Sequence, residues 1–312
     1  MKRSGRKKMK SKFKKFLSML MTAVMAFTVL TFSFANTTAS AAWDWWNVWG
    51  GWERRDTEPY GEIQPYEVKS GNKVHQGYIL TPKAPGTYPV VVLFCGRTGH
   101  RWKENQDFSM KARMNTWVSK GYIKPMIIIM PTLVMNDRDN TNLNSDLFFL
   151  YIRNKMGGLK NAFLSDKTFG KYFDPGETWS VSGYSMGGAA ALYAGCLYRN
   201  LYVNVGSFSP SESLYYEEGG TGWINRASDL VFSKSSNAHL FMGYSVKERA
   251  EFARYVKKYD KLFKKNGFNF KIYVSPEGNH GTMLFRRQML SFFYYISNNV
   301  FLTDDIIFTM KY

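Results

Sequence analysis

The chain has 312 residues, 45% of them hydrophobic, a formal net charge of +18 and only two cysteines. That length and apolar content suit one sizeable α/β core and exclude both a disordered segment and a disulfide-stapled mini-domain. Nine Lys or Arg fall within residues 1–15, so half of the charge is N-terminal and +9 remains for residues 42–312; no nucleic-acid motif accompanies that balance, and nucleic acid is not an expected partner.

Residues 1–41 read as a secretory signal: a basic start, an uncharged apolar run from Phe16 to Ala35, then Ala39-Ser40-Ala41 as an A-x-A cleavage site. The expected location is therefore secreted or extracytoplasmic. The alternative is a membrane anchor, since the run is long enough to span if it is retained. Residues 42–65 hold five of the nine tryptophans, Trp43, Trp45, Trp46, Trp49 and Trp52, with no steady period of 2 or 3.6. They form a separate arm that either stacks on sugars or lipid or docks on the domain behind it.

A catalytic domain is expected over 66–312. Tyr66 to Pro82 reads as a hairpin turning at Ser70-Gly71-Asn72, and Pro89 to Phe94 as a fully buried strand. The loop after that strand, Cys95-Gly96-Arg97-Thr98-Gly99, is followed by His100 and Arg101. Pro125 to Met130 is a second buried strand, with a helical stretch within Ser145 to Leu164 and a turn at Asp174-Pro175-Gly176. Uninterrupted apolar strands separated by helices predict a mostly parallel sheet covered on both faces.

Thr178 to Gly195 carries the strongest signal. A short β-rich run turns at Gly183-Tyr184-Ser185-Met186-Gly187 into an Ala-rich helix. A serine at a tight strand-to-helix turn is held in a strained conformation that requires small residues two before and two after it, which is the nucleophile-elbow pattern. Ser185 is the candidate nucleophile.

Tyr202 to Phe208 and His239 to Tyr244 are the next strands. Lys247 to Lys265 reads as a helix with Phe252, Val256, Tyr259 and Phe263 on its inward stripe; Phe268 to Val274 is the last strand and Met283 to Tyr295 the closing helix. Between them the loop Gly278-Asn279-His280-Gly281 offers a histidine after a strand end, where ligands of parallel sheets bind. Among the four histidines, His75, His100, His239 and His280, only His280 has both this position and the chain order of an activating base.

A third residue, a carboxylate, must fix the imidazole tautomer. Glu248 is chosen, placed in the first turn of the 247–265 helix; Glu251 is the runner-up, and Asp229 and Glu277 remain as alternatives. The oxyanion donors are assigned to the backbone of Met186 and of Gly96 or Arg97. His100, Arg101 and Tyr184 are candidates to contact substrate. No metal or other cofactor is expected, because neither H-E-x-x-H nor a phosphate loop is present. Cys95 and Cys196 are expected as small buried side chains, with pairing between them left open.

Phe173-Asp174-Pro175, the elbow through Gly188, Phe208-Ser209-Pro210-Ser211 and Pro276-Glu277-Gly278-Asn279-His280 together resemble the putative-esterase branch of the α/β-hydrolases over residues 66–300. That branch includes feruloyl and acetyl-xylan esterases, S-formylglutathione hydrolase and mycolyl transferases. The resemblance implies an α/β-hydrolase fold and a serine carboxylesterase acting on acyl esters, with a polysaccharide or cell-wall glycopolymer as the carrier. Two positions depart from the pattern. Cys95-Gly96 replaces the usual His-Gly, and Val246 stands where an Asp often follows the acid strand by three residues. A more distant similarity, to the carbohydrate O-acetyltransferase component of the accessory Sec export system, leaves two other readings open: an acyltransferase on the same scaffold, and a non-catalytic surface-binding or export-accessory module.

Overall fold

A run of β-branched and apolar residues too short for a helix pairs most readily as a strand buried on both faces, and the chain contains several. The computed structural model describes residues 58–96, 109–132, 152–198, 200–210, 239–266, 270–276, 278–300 and 302. Among the described residues eight strands form one sheet: β1 (Gln64–Ser70), β2 (Lys73–Leu80), β3 (Val90–Phe94), β4 (Ile127–Pro131), β5 (Trp179–Tyr184), β6 (Tyr202–Phe208), β7 (His239–Ser245) and β8 (Phe270–Ser275). Their order is β1-β2-β4-β3-β5-β6-β7-β8. β1 and β2 form the expected hairpin around Gly71, and β2 runs antiparallel to β4. From β4 to β8 every neighbouring pair is parallel.

Helices among the described residues include α1 (Met110–Ser119), α2 (Leu159–Ser165), α3 (Met186–Leu197), α4 (Ala250–Asn266) and α5 (Thr282–Asn298). Alternate residues of a strand face opposite sides of the sheet. Val90, Val92 and Phe94 of β3 share one cluster with Phe163 of α2, Leu192 of α3 and Val256 of α4. On the other face α1 meets α5, where Trp117 packs edge-on against Phe293 with centroids 6.1 Å apart, and Phe292 of α5 lies against Phe208 and Phe241. The α/β-hydrolase fold expected from the sequence is the one observed.

Three boundaries differ from the sequence reading. The expected domain start at Tyr66 falls inside β1, and Tyr60, ahead of it, is fully buried. The Tyr60 hydroxyl donates to the Met126 carbonyl at 2.9 Å and accepts from the Met126 amide at 2.8 Å, while its own amide donates to Asn115. Helix α1 lacks the apolar stripe that identifies a helix, because Arg113 and Asn115 are among its buried residues. Helix α4 begins at Ala250 rather than Lys247, which leaves Glu248 in the loop after β7. Residues 1–57, which include the expected signal and all five tryptophans of the 42–65 arm, lie outside the described residues, as do Arg97, His100, Arg101, Asp229 and Glu277.

The junction of β3, β5 and α3 is closed by backbone contact. A Cβ on Gly183 would fall within the carbonyl of Gly187, one on Gly187 would fall within the carbonyls of Cys95 and Phe94, and one on Gly188 would sit 2.7 Å from the Phe208 carbonyl oxygen. Replacing Gly187 with Ala should therefore cost about 3 kcal/mol or more in urea denaturation, because a main chain cannot yield as a side chain can. Gly71→Ala, whose Cβ would meet open space at a φ of +58°, should cost only about 1 kcal/mol.

Candidate active site

Ser185 caps the N-terminus of α3 with φ 57° and ψ −120°, a conformation that L-residues avoid. Its amide donates to the Phe208 carbonyl at 2.9 Å and its carbonyl accepts from Ala189 at 3.1 Å, so the strained residue is fixed at both ends. The Oγ is thereby presented at the carboxyl edge of the sheet. Gly96, at the end of β3, lies beside it: a Cβ there would be 3.6 Å from the Ser185 Cβ. Met186 is the first residue of α3, and amides in a first helical turn have no partner within the helix.

His280 stands in the loop between β8 and α5, with its Nε2 3.1 Å from Ser185 Oγ and its Nδ1 2.7 Å from Glu248 Oε1. A carboxylate can only accept, so Nδ1–H donates to Glu248 and the Nε2 lone pair faces the serine hydroxyl. The imidazole is held between rings: Phe252 stacks on it at 3.7 Å with 9° between planes, and Tyr184 at 4.7 Å with 30°. Burial, with the Glu248 charge adding to it, pushes the Tyr184 hydroxyl far above the usual tyrosine range, so it stays protonated. Tyr184 thus lies against the histidine ring, and its contact with substrate remains an expectation.

The Glu248 side chain is fully buried, whereas His280 keeps 23% of its side chain exposed. A buried carboxylate requires compensating donors. Glu248 has three: Nδ1–H of His280 on Oε1, and on Oε2 the Ser209 hydroxyl at 2.9 Å and the Ser245 amide at 2.7 Å. The bond to Ser245, three residues back, ties the carboxylate to the turn after β7, and α4 starts two residues later. Glu251 lies within α4, one turn away from this position. Ser209, with φ 41° and its amide donating to Gly243 at 2.7 Å, was not singled out for any role by the sequence, although Phe208-Ser209-Pro210-Ser211 carried part of the resemblance.

The other described histidines are occupied elsewhere. His75 sits in β2 with its Nδ1 2.9 Å from the Lys155 carbonyl, and His239 packs on Tyr295; burial holds both below the usual histidine range. Cys95 is buried directly after β3, and the Cys196 side chain lies outside the described residues, as does the pairing left open between the two. Among the described residues no three of His, Cys, Asp and Glu come together as a metal site.

Ser209→Ala leaves one oxygen of a buried carboxylate with a single donor. Urea denaturation should register a loss of about 1–2 kcal/mol. An unchanged midpoint would mean that the hydroxyl contributes no net support to Glu248.

Residues 71–240 match the family model of the putative esterases. No curated protein matches the chain in sequence. Among solved structures, it is similar to a feruloyl esterase module from Clostridium thermocellum complexed with sinapinate, with TM-score 0.56, 16% identity, and 77% of this chain and 89% of that one covered. A ferulic acid esterase from the anaerobic fungus Anaeromyces mucronatus gives 0.58 and 16%, covering 78% and 95%. The enterobactin esterase from Shigella flexneri, in the presence of enterobactin, gives 0.56 and 16%, covering 78% of this chain and 60% of that one. With more than half of its length matched by the family model on the fold those enzymes share, the chain belongs to the putative-esterase family of carboxylic ester hydrolases.

Proposed function

We propose that the chain is an exported serine esterase that hydrolyses acyl esters carried by a polysaccharide or similar glycoconjugate, through an acyl-enzyme on Ser185. The observation that carries this reading is the continuous line of hydrogen bonds from Ser185 Oγ through His280 to the buried Glu248. A serine hydroxyl is a poor nucleophile until a base takes its proton. His280 Nε2 is in place to do so as Oγ attacks the ester carbonyl, and Glu248 then stabilises the imidazolium and keeps its tautomer.

In the first half-reaction the Oγ–carbon bond forms, the alcohol leaves with the proton held on Nε2, and the acyl group remains on Ser185. In the second, water gives a proton to Nε2 and attacks the acyl carbon, and the carboxylic acid departs as Ser185 recovers its proton. The developing oxyanion calls for fixed N–H donors. The Met186 and Gly96 amides are assigned that role because both belong to backbone adjoining Ser185. Two of the similar structures are ferulic or feruloyl esterases, which supports an acyl ester in this site. Export and a glycan carrier rest on the signal-like N-terminus and on the family resemblance.

Fluorophosphonate labelling and turnover of p-nitrophenyl acetate and butyrate test the assignment. Ser185→Ala should abolish labelling while keeping the fold, and His280→Ala and Glu248→Gln should each lower kcat by roughly 10³–10⁴-fold. Labelling of Ser185→Ala at the parent level would remove Ser185 from the mechanism. Near-parent turnover in Glu248→Gln would leave a Ser-His dyad. N-terminal sequencing of exported protein should begin at Ala42. A mass that still includes residues 1–41 would mean a retained anchor.

A further inference from the structure

We infer that the exposed basic face of α4 is a binding track for an anionic polymer, so that the substrate is an O-acylated, negatively charged glycopolymer; this rests on the esterase reading above. Arg254, Lys257, Lys261 and Lys264 are all exposed and are spaced by three, four and three residues. At 3.6 residues per turn they fall within an arc of roughly 80° and run about 15 Å along the helix. They form one band of charge along the helix.

The helix that carries this band begins beside the candidate site, with the band on the face turned away from it. Phe252, in the first turn of α4, is the ring stacked on His280. Just ahead of the helix, Lys247 and Arg249 line a depression of about 440 Å³ together with Phe252, Asn279 and His280. Cations therefore extend from the mouth of the site to the far end of the helix. Asp260 pairs with Lys264 at 2.8 Å, and the Arg254 guanidinium lies over the Tyr255 ring, 5.5 Å from its centroid. A row of like charge this close to a cleft raises the local concentration of an oppositely charged chain. A lipid surface fits less well, because the described side chains of α4 include none of the large exposed hydrophobics that would insert into it.

Matched esters decide the matter: O-acetylated dextran and O-acetylated carboxymethyl-dextran, assayed by acetate release at low and high salt. At low salt the parent should deacetylate the carboxymethyl polymer roughly tenfold faster, with the advantage shrinking as salt screens it. In Arg254→Gln/Lys257→Gln/Lys261→Gln the two rates should converge. Equal rates for the parent, or an advantage that survives in the triple variant, overturns the inference. So does an advantage lost only in Lys247→Gln/Arg249→Gln, or binding to phosphatidylglycerol vesicles without discrimination between the dextrans. Failure of the parent to hydrolyse p-nitrophenyl acetate would instead defeat the esterase reading; dextran sulfate retention, compared between parent and triple variant, still tests the track in that case.

Discussion

Everything at the candidate site depends on how closely three backbones approach one another at the carboxyl edge of the sheet. Gly183, Gly187 and Gly188 let the first turn of α3 press onto the ends of β3, β5 and β6 with no intervening side chain. That contact is what makes a positive φ tolerable at Ser185, because surrounding structure that over-determines a strained residue can hold it there. It also puts Gly96 beside the serine and Phe208 beneath it, so the ends of β3 and β6 are positioned by the same contact. Within the elbow only Ser185 has a positive φ, and α3 follows directly.

Glu248 shows how the loop after β7 brings a carboxylate to His280. Val246, the third residue after Gly243, is 59% exposed and turned away, while Glu248 two residues later supplies the carboxylate. The longer glutamate and the extra loop length let Oε1 reach His280 while Oε2 is secured by Ser209 and Ser245. Such anchoring is necessary. An ionised group removed from water is tolerated only when its lone pairs are filled.

Much of this was legible in the chain because the relevant signals are local. Buried strands appear as unbroken apolar runs, and the elbow as small residues at fixed offsets from Ser185, while His280 stands out by its position after the last strand. What escaped depends on contacts distant in sequence. Helix α1 presents Arg113 and Asn115 inward, so its pattern is not that of an amphipathic helix, and Tyr60 belongs to the core only through partners more than fifty residues away. Glu248 meets His280 from the loop after β7, where a helical first turn was expected. Ser209 had no periodicity or charge to mark it, and only the fold makes it a neighbour of Glu248.

The two ends of the hydrogen-bonded line differ in how firmly they are held. Ser185 rises from β5, which has β3 on one side and β6 on the other, whereas His280 follows β8, which ends the sheet and pairs only with β7 among the described residues. An edge strand can open without dismantling the centre of a sheet. The histidine therefore sits at the sheet's margin and the serine at its centre, so opening of the edge would part them before the core is disturbed. Mild denaturant or warming would silence such an enzyme while its fold still stood, and on return to native conditions activity would recover as fast as one strand re-docks.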